Sequence, residues 1–124
     1  MFPNCCRLEA AYRATDYIVR GGPVIRIGER ARLPRPAAFV TACNPFGRAI
    51  SSFQNVTAIR RLRACVGSAR AAVGTGQDGS WPPEPSLLLT GISRRVAAGL
   101  GRRLRQNAVV YIPRGRAAEL LKLR

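Results

Sequence analysis

The 124-residue sequence contains no histidine. This absence excludes the Ser-His-Asp and Cys-His catalytic pairs, histidine-ligated zinc and a histidine-based pH switch. A cysteine-ligated metal is not predicted either, because no CxxC pair occurs and Cys5 and Cys6 are adjacent. Cys43 and Cys65 lie in apolar runs and are predicted to be small core residues. We therefore expect neither a metal nor a cofactor.

Long apolar runs are also missing. No stretch approaches the roughly 18 apolar residues that a membrane span needs. Met1 to Leu8 has no basic segment followed by an apolar one, so no secretory signal is predicted. We expect a cytoplasmic protein that does not enter the membrane. Its length predicts a single domain at 12–124, preceded by an N-terminal extension at 1–11.

Acidic residues are scarce. Six Asp and Glu stand against 21 Lys and Arg, which gives a formal net charge of +15, and every basic residue except Lys122 is arginine. Such a charge predicts affinity for anions, with nucleic acid or another polyanion first among them. The preference of a GC-rich genome for arginine codons explains the same excess without any function. Both explanations stay open at this point.

Apolar runs and turn signals predict the first half of the chain. Two β-prone segments, 16–20 and 23–27, flank Gly21-Gly22 and predict a hairpin. The apolar run at 37–43 predicts a central strand covered on at least one face. It stops at the turn signal of residues 44–47.

Two amphipathic helices are predicted. Ser51 and Gln54 fit a capping box that begins a helix over 52–66, on whose apolar side Asn55 needs a polar partner. Ser93 is predicted to cap a second helix that reaches Gln106. The remaining predictions are a helix end at Gly67, strands at 68–74, 86–90 and 107–112, an irregular stretch at 75–85, and a terminal strand or helical turn at 118–123.

These elements predict an α+β fold. From Ala37 onward their order is β-α-β-β-α-β, which is the order of ferredoxin-like two-layer sandwiches, here preceded by an N-terminal β-hairpin. Both helices are expected to cover the same face of a mostly antiparallel sheet. The predicted core stripe of the second helix consists of Val96, Ala97, Leu100 and Leu104.

Several short motifs occur in a recognisable order. They are Tyr12-x-x-Thr15-x-Tyr17, Thr41-Ala42-Cys43-Asn44-Pro45, Trp81-x-x-Glu84-Pro85-Ser86 and Gly101-Arg102-x-x-x-Gln106-Asn107-Ala108-Val109-Val110. Over about residues 10 to 121 the chain resembles the bacterial family catalogued as domain of unknown function 3293. It departs from that family at Gly47, where a serine is common, and at Cys43, where a larger residue is common. The resemblance implies one continuous domain, and it implies no reaction.

The resemblance also selects a set of polar residues, most of them near predicted strand ends. The set is Thr41, Asn44, Asn55, Glu84, Ser86, Gln106 and Asn107, to which Trp81 is added as a residue able to stack on a ligand ring. One interpretation is a small-molecule pocket or enzyme that uses Glu84 with Asn44, Ser86 and Asn107, where Glu84 is the candidate acid or base. In the other, the amides satisfy backbone groups at turns and helix ends, and the tryptophan closes the core. No catalytic residue is assigned.

The last third of the chain concentrates the positive charge. The candidate anion-binding residues are Arg94, Arg95, Arg102, Arg105, Arg114 and Arg116. The sequence does not favour an RNA-recognition module, because the predicted central strands contain only Phe39 and Tyr111 as aromatic residues. A third alternative is a protein-interaction domain that exposes Leu120, Leu121 and Leu123.

Overall fold

The structure, a computed structural model, describes residues 5–66, 69–77 and 83–124, and for residues 5–8 it describes the backbone only. Three helices and seven strands make up this part of the chain. They are α1 (Cys5–Arg13), β1 (Thr15–Val19), β2 (Val24–Ile25), β3 (Ala37–Val40), α2 (Ser52–Val66), β4 (Arg70–Gly76), β5 (Glu84–Thr90), α3 (Arg94–Arg103), β6 (Ala108–Ile112) and β7 (Glu119–Lys122), with a short 3-10 turn at Pro45–Gly47. The predicted α+β class is confirmed.

All seven strands join one antiparallel sheet in the order β2-β1-β4-β5-β3-β6-β7. β1 and β2 form the predicted hairpin around Gly21-Gly22. Bridges from Ile27 to Ala118 and from Arg30 to Ala117 connect the chain beyond β2 with the chain before β7. Because those segments extend from opposite edges of the sheet, the sheet is curled and has an inner and an outer face.

Helices α2 and α3 cover the outer face, as predicted. Leu62 of α2 and Ala97 of α3 are buried against Val40, Leu87 and other residues of the sheet. We call this cluster the helix-side core. Its remaining buried members are Ala38, Ala42, Leu89, Ile92, Val109 and Tyr111.

The inner face carries a second apolar cluster, which we call the inner core. Tyr17 of β1, Phe39 of β3 and Leu88 of β5 meet there, and the partly buried Tyr12 of α1 packs against them. Its remaining buried members are Val19, Ile25, Ala37, Val110, Ile112 and Ala118. Since successive strand residues point to opposite faces, a strand between two cores is apolar at every position, which explains the uninterrupted run at 37–40.

The predicted capping box is confirmed at the start of α2. The Ser51 amide donates to Oε1 of Gln54 at 3.1 Å, and the Gln54 amide donates to Oγ of Ser51 at 3.1 Å. α3 begins on Ser93, whose Oγ accepts from the Val96 amide at 3.2 Å. These contacts satisfy amide groups that the first turn of a helix leaves without a carbonyl partner.

The second predicted helix, which is α3 of the structure, is shorter than predicted. Arg105 adopts a left-handed conformation with φ of 57°, its amide donates to the Arg102 carbonyl, and the Gln106 amide donates to the Gly101 carbonyl. This pair of bonds is a Schellman motif, which ends a helix. The prediction that helix α3 reaches Gln106 is therefore wrong by three residues.

Three further predictions differ from the structure. Val96 is 58% exposed rather than part of the core stripe, because the buried side of α3 is formed by Ala97 and Gly101. Cys65 is exposed. The irregular stretch is wrong at both ends, since β4 continues to Gly76 and β5 begins at Glu84. The predicted helix end at Gly67 and strand start at Ser68 lie outside the described residues.

The two termini of the described chain meet. Lys122 in β7 forms an ion pair with Glu9 in α1, a helix that the sequence analysis missed. The terminal segment forms the strand that was one of two predicted alternatives, and Leu120, Leu121 and Leu123 are half-buried in or beside it. The last two pack against the helix-side core, which argues against a freely exposed apolar tail.

Candidate functional site

A pocket of about 230 Å³ opens at one end of the inner face, beside α1. Six of the eight residues predicted from sequence as pocket candidates line it: Thr41, Asn44, Glu84, Ser86, Gln106 and Asn107. Asn55 lies behind the wall, where it contacts Asn44. Trp81 lies outside the described residues.

Strand register explains why these side chains converge. Val40 pairs with Leu87, so Thr41, which follows β3, comes next to Ser86 at the start of β5. Gly74 of β4 pairs with Tyr17 on one side and with Glu84 on the other. Because Gly74 has no side chain, space remains between the phenol and the carboxylate. Gly74, one of the small residues that weakened the strand signal of β4, therefore helps to form the pocket.

Glu84 contributes the one carboxylate among the described lining residues. It is half-buried, and its Oε2 accepts from Nδ2 of Asn44 at 3.1 Å. Burial raises the pKa of Glu84, and hydrogen bonds from Asn44 and Thr41 act in the opposite direction. No arginine or lysine of the described chain lines the pocket. Its charge is thus opposite in sign to that of the protein as a whole.

Asn44 and Asn55 form a reciprocal pair that holds the first of them in place. The backbone amide of Asn44 donates to Oδ1 of Asn55 at 3.0 Å, and Nδ2 of Asn55 donates to Oδ1 of Asn44 at 2.9 Å. Oδ1 of Asn44 also accepts from the Ile50 amide at 3.2 Å. With its oxygen occupied in this way, Asn44 directs its Nδ2 at Glu84. Asn55 thereby acquires the polar partner that its predicted position required.

The turn that carries Asn44 has an uncommon backbone. Asn44 and Phe46 adopt φ of 47° and 56°, in the left-handed region that residues other than Asn, Asp and Gly rarely occupy. Gly47 has φ of 73°, which favours the glycine found here over the serine common in the resembling family. Such conformations often cluster at binding sites.

Three of the lining polar residues are occupied by contacts within the chain. Thr41 donates to the Pro85 carbonyl at 2.8 Å, and Ser86 donates to the Glu84 carbonyl at 3.1 Å. Gln106 is buried and donates to the Cys43 carbonyl at 3.0 Å. Asn107 differs from them, because its side chain makes no hydrogen bond to any part of the chain that the structure describes. Glu84 and Asn107 are therefore the groups best placed to accept or donate a bond to a bound molecule.

Aromatic rings also line the pocket, and sequence reasoning did not assign them to the site. Tyr12, Tyr17 and Phe39 line the pocket, the last two in an edge-to-face contact with ring centroids 4.9 Å apart. Burial, and secondarily the charge of Glu84, raises the pKa of Tyr12 to about 12. The available signal was the Tyr12-x-x-Thr15-x-Tyr17 motif, in which Thr15 and Tyr17 share one face of a strand.

Cys43 also lines the pocket and is buried, as predicted. Burial raises the pKa of its thiol, and the charge of Glu84 contributes to the same direction. Its thiol is therefore predominantly protonated near neutral pH, unlike that of a nucleophilic cysteine. Within the described residues no group of three potential metal ligands occurs.

The candidate anion-binding arginines lie on the surface. Arg94 forms an ion pair with Glu119 and lies over the Tyr111 ring, 5.2 Å from its centroid. The other five, Arg95, Arg102, Arg105, Arg114 and Arg116, are exposed and have no acidic partner among the described residues. Phe39 and Tyr111 are both buried, so neither offers a surface for base stacking.

Comparisons with known proteins identify a family whose profile matches this chain. The profile of the family described as "Protein of unknown function (DUF3293)" matches residues 40–109, more than half of the chain and the part that contributes most of the pocket. No curated protein and no solved structure matches. None of the described helices has the length and apolarity that crossing a bilayer requires.

Proposed function

The chain belongs to the DUF3293 family, as the sequence motifs predicted, and we propose that it binds a small organic molecule in the pocket at the end of the inner face. Glu84 and Asn107 would contact the ligand. Asn44 and Asn55 would act as positioning residues, because Asn44 holds the carboxylate of Glu84 and Asn55 in turn holds Asn44.

One observation carries this proposal: polar residues from three separate stretches of sequence converge on a single cavity of about 230 Å³. A cavity of roughly 150 Å³ is enough for benzene in another protein, so this one accommodates a molecule of about one ring. Apolar walls with a few convergent polar groups are typical of ligand sites. The proposal is for binding, since Glu84 has amide and hydroxyl partners and the described lining residues include no second carboxylate, histidine or lysine.

A ligand of one ring requires the space that Gly74 leaves between Tyr17 and Glu84. We expect Gly74→Ala to weaken the binding of single-ring fragments by roughly tenfold or more, because the new methyl group enters the pocket. Its Cβ would lie 3.6 Å from Thr15 and 3.8 Å from Tyr17, which is ordinary contact, so the fold should persist. Saturation-transfer NMR with a single-ring fragment library measures the effect.

Gly99→Ala is the matched control, because a Cβ there meets nothing within 4 Å and the position lies outside the pocket. It should leave unchanged the affinity of every fragment that binds in the pocket beside Glu84. A library without any hit, or hits that both variants bind equally well, would contradict the proposed function.

We further infer that the core is ferredoxin-like in its finer arrangement. The neighbour order β4-β5-β3-β6 and the common face of α2 and α3 support this inference. In this arrangement the pocket lies on the sheet face opposite the two helices, at the end where β3 finishes and β5 begins.

The exposed arginines support a second candidate function, binding of a polyanion such as nucleic acid. Five of the six candidates lack an acidic partner among the described residues, so their charge is available. Phosphate contacts release counterions, and affinity for a single-stranded oligonucleotide should fall steeply, by about a hundredfold or more, between roughly 50 and 200 mM salt. Absence of binding at the lower salt concentration in a filter-binding assay would reject this candidate.

A further inference from the structure

We propose that the ligand of this pocket is an organic cation, a single-ring amine or guanidine whose positive group pairs with Glu84. This inference rests on the proposed function and narrows it to one chemical class. It depends on three observations: the pocket has an isolated carboxylate, it has aromatic walls, and screening limits the effect of the protein's exposed positive charges on it.

The carboxylate is incompletely satisfied within the chain. An ionised carboxylate has about four acceptor positions, and at most two of those of Glu84 are occupied within the described residues, by Nδ2 of Asn44 and by the Thr41 hydroxyl, which also donates to the Pro85 carbonyl. No arginine or lysine among the described lining residues is available to pair with it. A ligand that brings N–H donors and a positive charge would supply both missing partners. An anionic ligand would instead place two negative charges together in a partly buried site.

The walls favour the same class of ligand. Tyr12, Tyr17 and Phe39 line the pocket together with Glu84. The faces of aromatic rings attract ammonium and guanidinium groups, and they do so more strongly where water is excluded. A carboxylate beside several rings is therefore a suitable environment for an amine that also carries an apolar ring of its own.

The net charge of +15 does not oppose this pairing at close range. Exposed charges are screened over about 8 Å at physiological ionic strength, whereas a partly buried pair is screened much less. Among the described lining residues, the titratable groups other than Glu84 are Tyr12 of α1, Tyr17 of β1 and Cys43 after β3, and burial raises the pKa of each. All three therefore stay uncharged near neutral pH, and Glu84 determines the sign of the pocket's charge.

The same geometry gives a pH dependence. Burial raises the pKa of Glu84, so its carboxyl group keeps its proton to a higher pH than an exposed glutamate does. The protonated form cannot pair with a cation. We expect affinity for an amine to increase as pH rises through the pKa of Glu84, and a bound amine to lower that pKa. Affinity for a neutral ligand should lack this increase.

Three probes of equal size and different charge test the inference: benzylamine, benzyl alcohol and benzoate. Isothermal titration with the full chain should show benzylamine binding about tenfold or more tightly than benzyl alcohol, and benzoate binding most weakly. Glu84→Gln should remove the preference for the amine while leaving affinity for the alcohol nearly unchanged. Glu29→Gln removes a charge from an exposed position outside the pocket and should preserve the preference.

Each other outcome counts against the inference. Equal binding of amine and alcohol, or a preference that survives Glu84→Gln, overturns it while leaving the proposed function intact. Failure of benzylamine at millimolar concentration also overturns it, and fragment hits weakened by Gly74→Ala would then keep the proposed function. If the library itself gives no hit, both fall. Circular dichroism of Glu84→Gln excludes unfolding as the cause, because the glutamine oxygen can still accept from Asn44.

Discussion

Replacing Leu87 with alanine and, separately, Leu88 with alanine should each lower the free energy of unfolding by about 2–5 kcal/mol. The two residues are neighbours on β5 and point to opposite faces of the sheet. Leu87 is 2% exposed in the helix-side core, and Leu88 is 1% exposed in the inner core. A sheet with one face in water would tolerate one of the two substitutions. Urea denaturation monitored by circular dichroism measures both.

Val96→Ala is the control for these substitutions. Val96 is 58% exposed on α3, so its truncation leaves no cavity, and alanine is the better helix former. Stability should stay equal or rise by a few tenths of a kcal/mol. If Leu88→Ala behaved like Val96→Ala, the inner core would not exist as described, and the pocket at its end would lose its wall.

The second large effect is expected at two glycines of α3 that differ only in their surroundings. A Cβ at Gly101 would lie 2.6 Å from Cγ1 of Val109 and 2.6 Å from Cδ1 of Leu123, whereas at Gly99 it would meet nothing within 4 Å. The leucine end can move, but the buried, β-branched Val109 cannot. We expect Gly101→Ala to destabilise the protein by about 1–3 kcal/mol and Gly99→Ala to stabilise it by about 1 kcal/mol.

Thermal and urea denaturation of the two alanine variants test this contrast. The combination of Gly101→Ala with Val109→Ala removes the obstructing methyl groups and should be less destabilising than the sum of the two single changes. Equal stability of Gly99→Ala and Gly101→Ala would show that α3 does not approach β6 as closely as described, and would contradict the helix-side core at this point.

Local sequence signals predicted most of the elements because their physical causes are local. The capping box of Ser51 and Gln54 fixed the start of α2, and Gly21-Gly22 marked the hairpin. Where tertiary contacts decide, prediction failed. β4 extends to Gly76 despite weak strand residues, because it pairs along both edges with β1 and β5. The end of α3 was missed as well, because the residue that ends the helix in the left-handed conformation is Arg105 and not the glycine that usually marks such an end.

The site was predictable in its residue types and not in its geometry. The motifs selected Asn44, Glu84 and Asn107, and all three line the pocket. Strand order, which no local pattern encodes, determines that they meet. The aromatic wall was missed for the same reason, since Tyr12 reaches the pocket from a helix that the sequence did not reveal and Phe39 depends on a curled sheet.

The central claim is that the pocket beside Glu84 is a ligand site, and ¹H–¹⁵N correlation spectra of the full chain with the tightest single-ring fragment test it most directly. We predict that the largest shifts occur in Tyr12, Asn44, Gly74, Glu84 and Asn107, and that Gly74→Ala strongly reduces them at the same fragment concentration. Shifts confined to the exposed arginines of α3, or to residues that do not line the pocket, would contradict the claim.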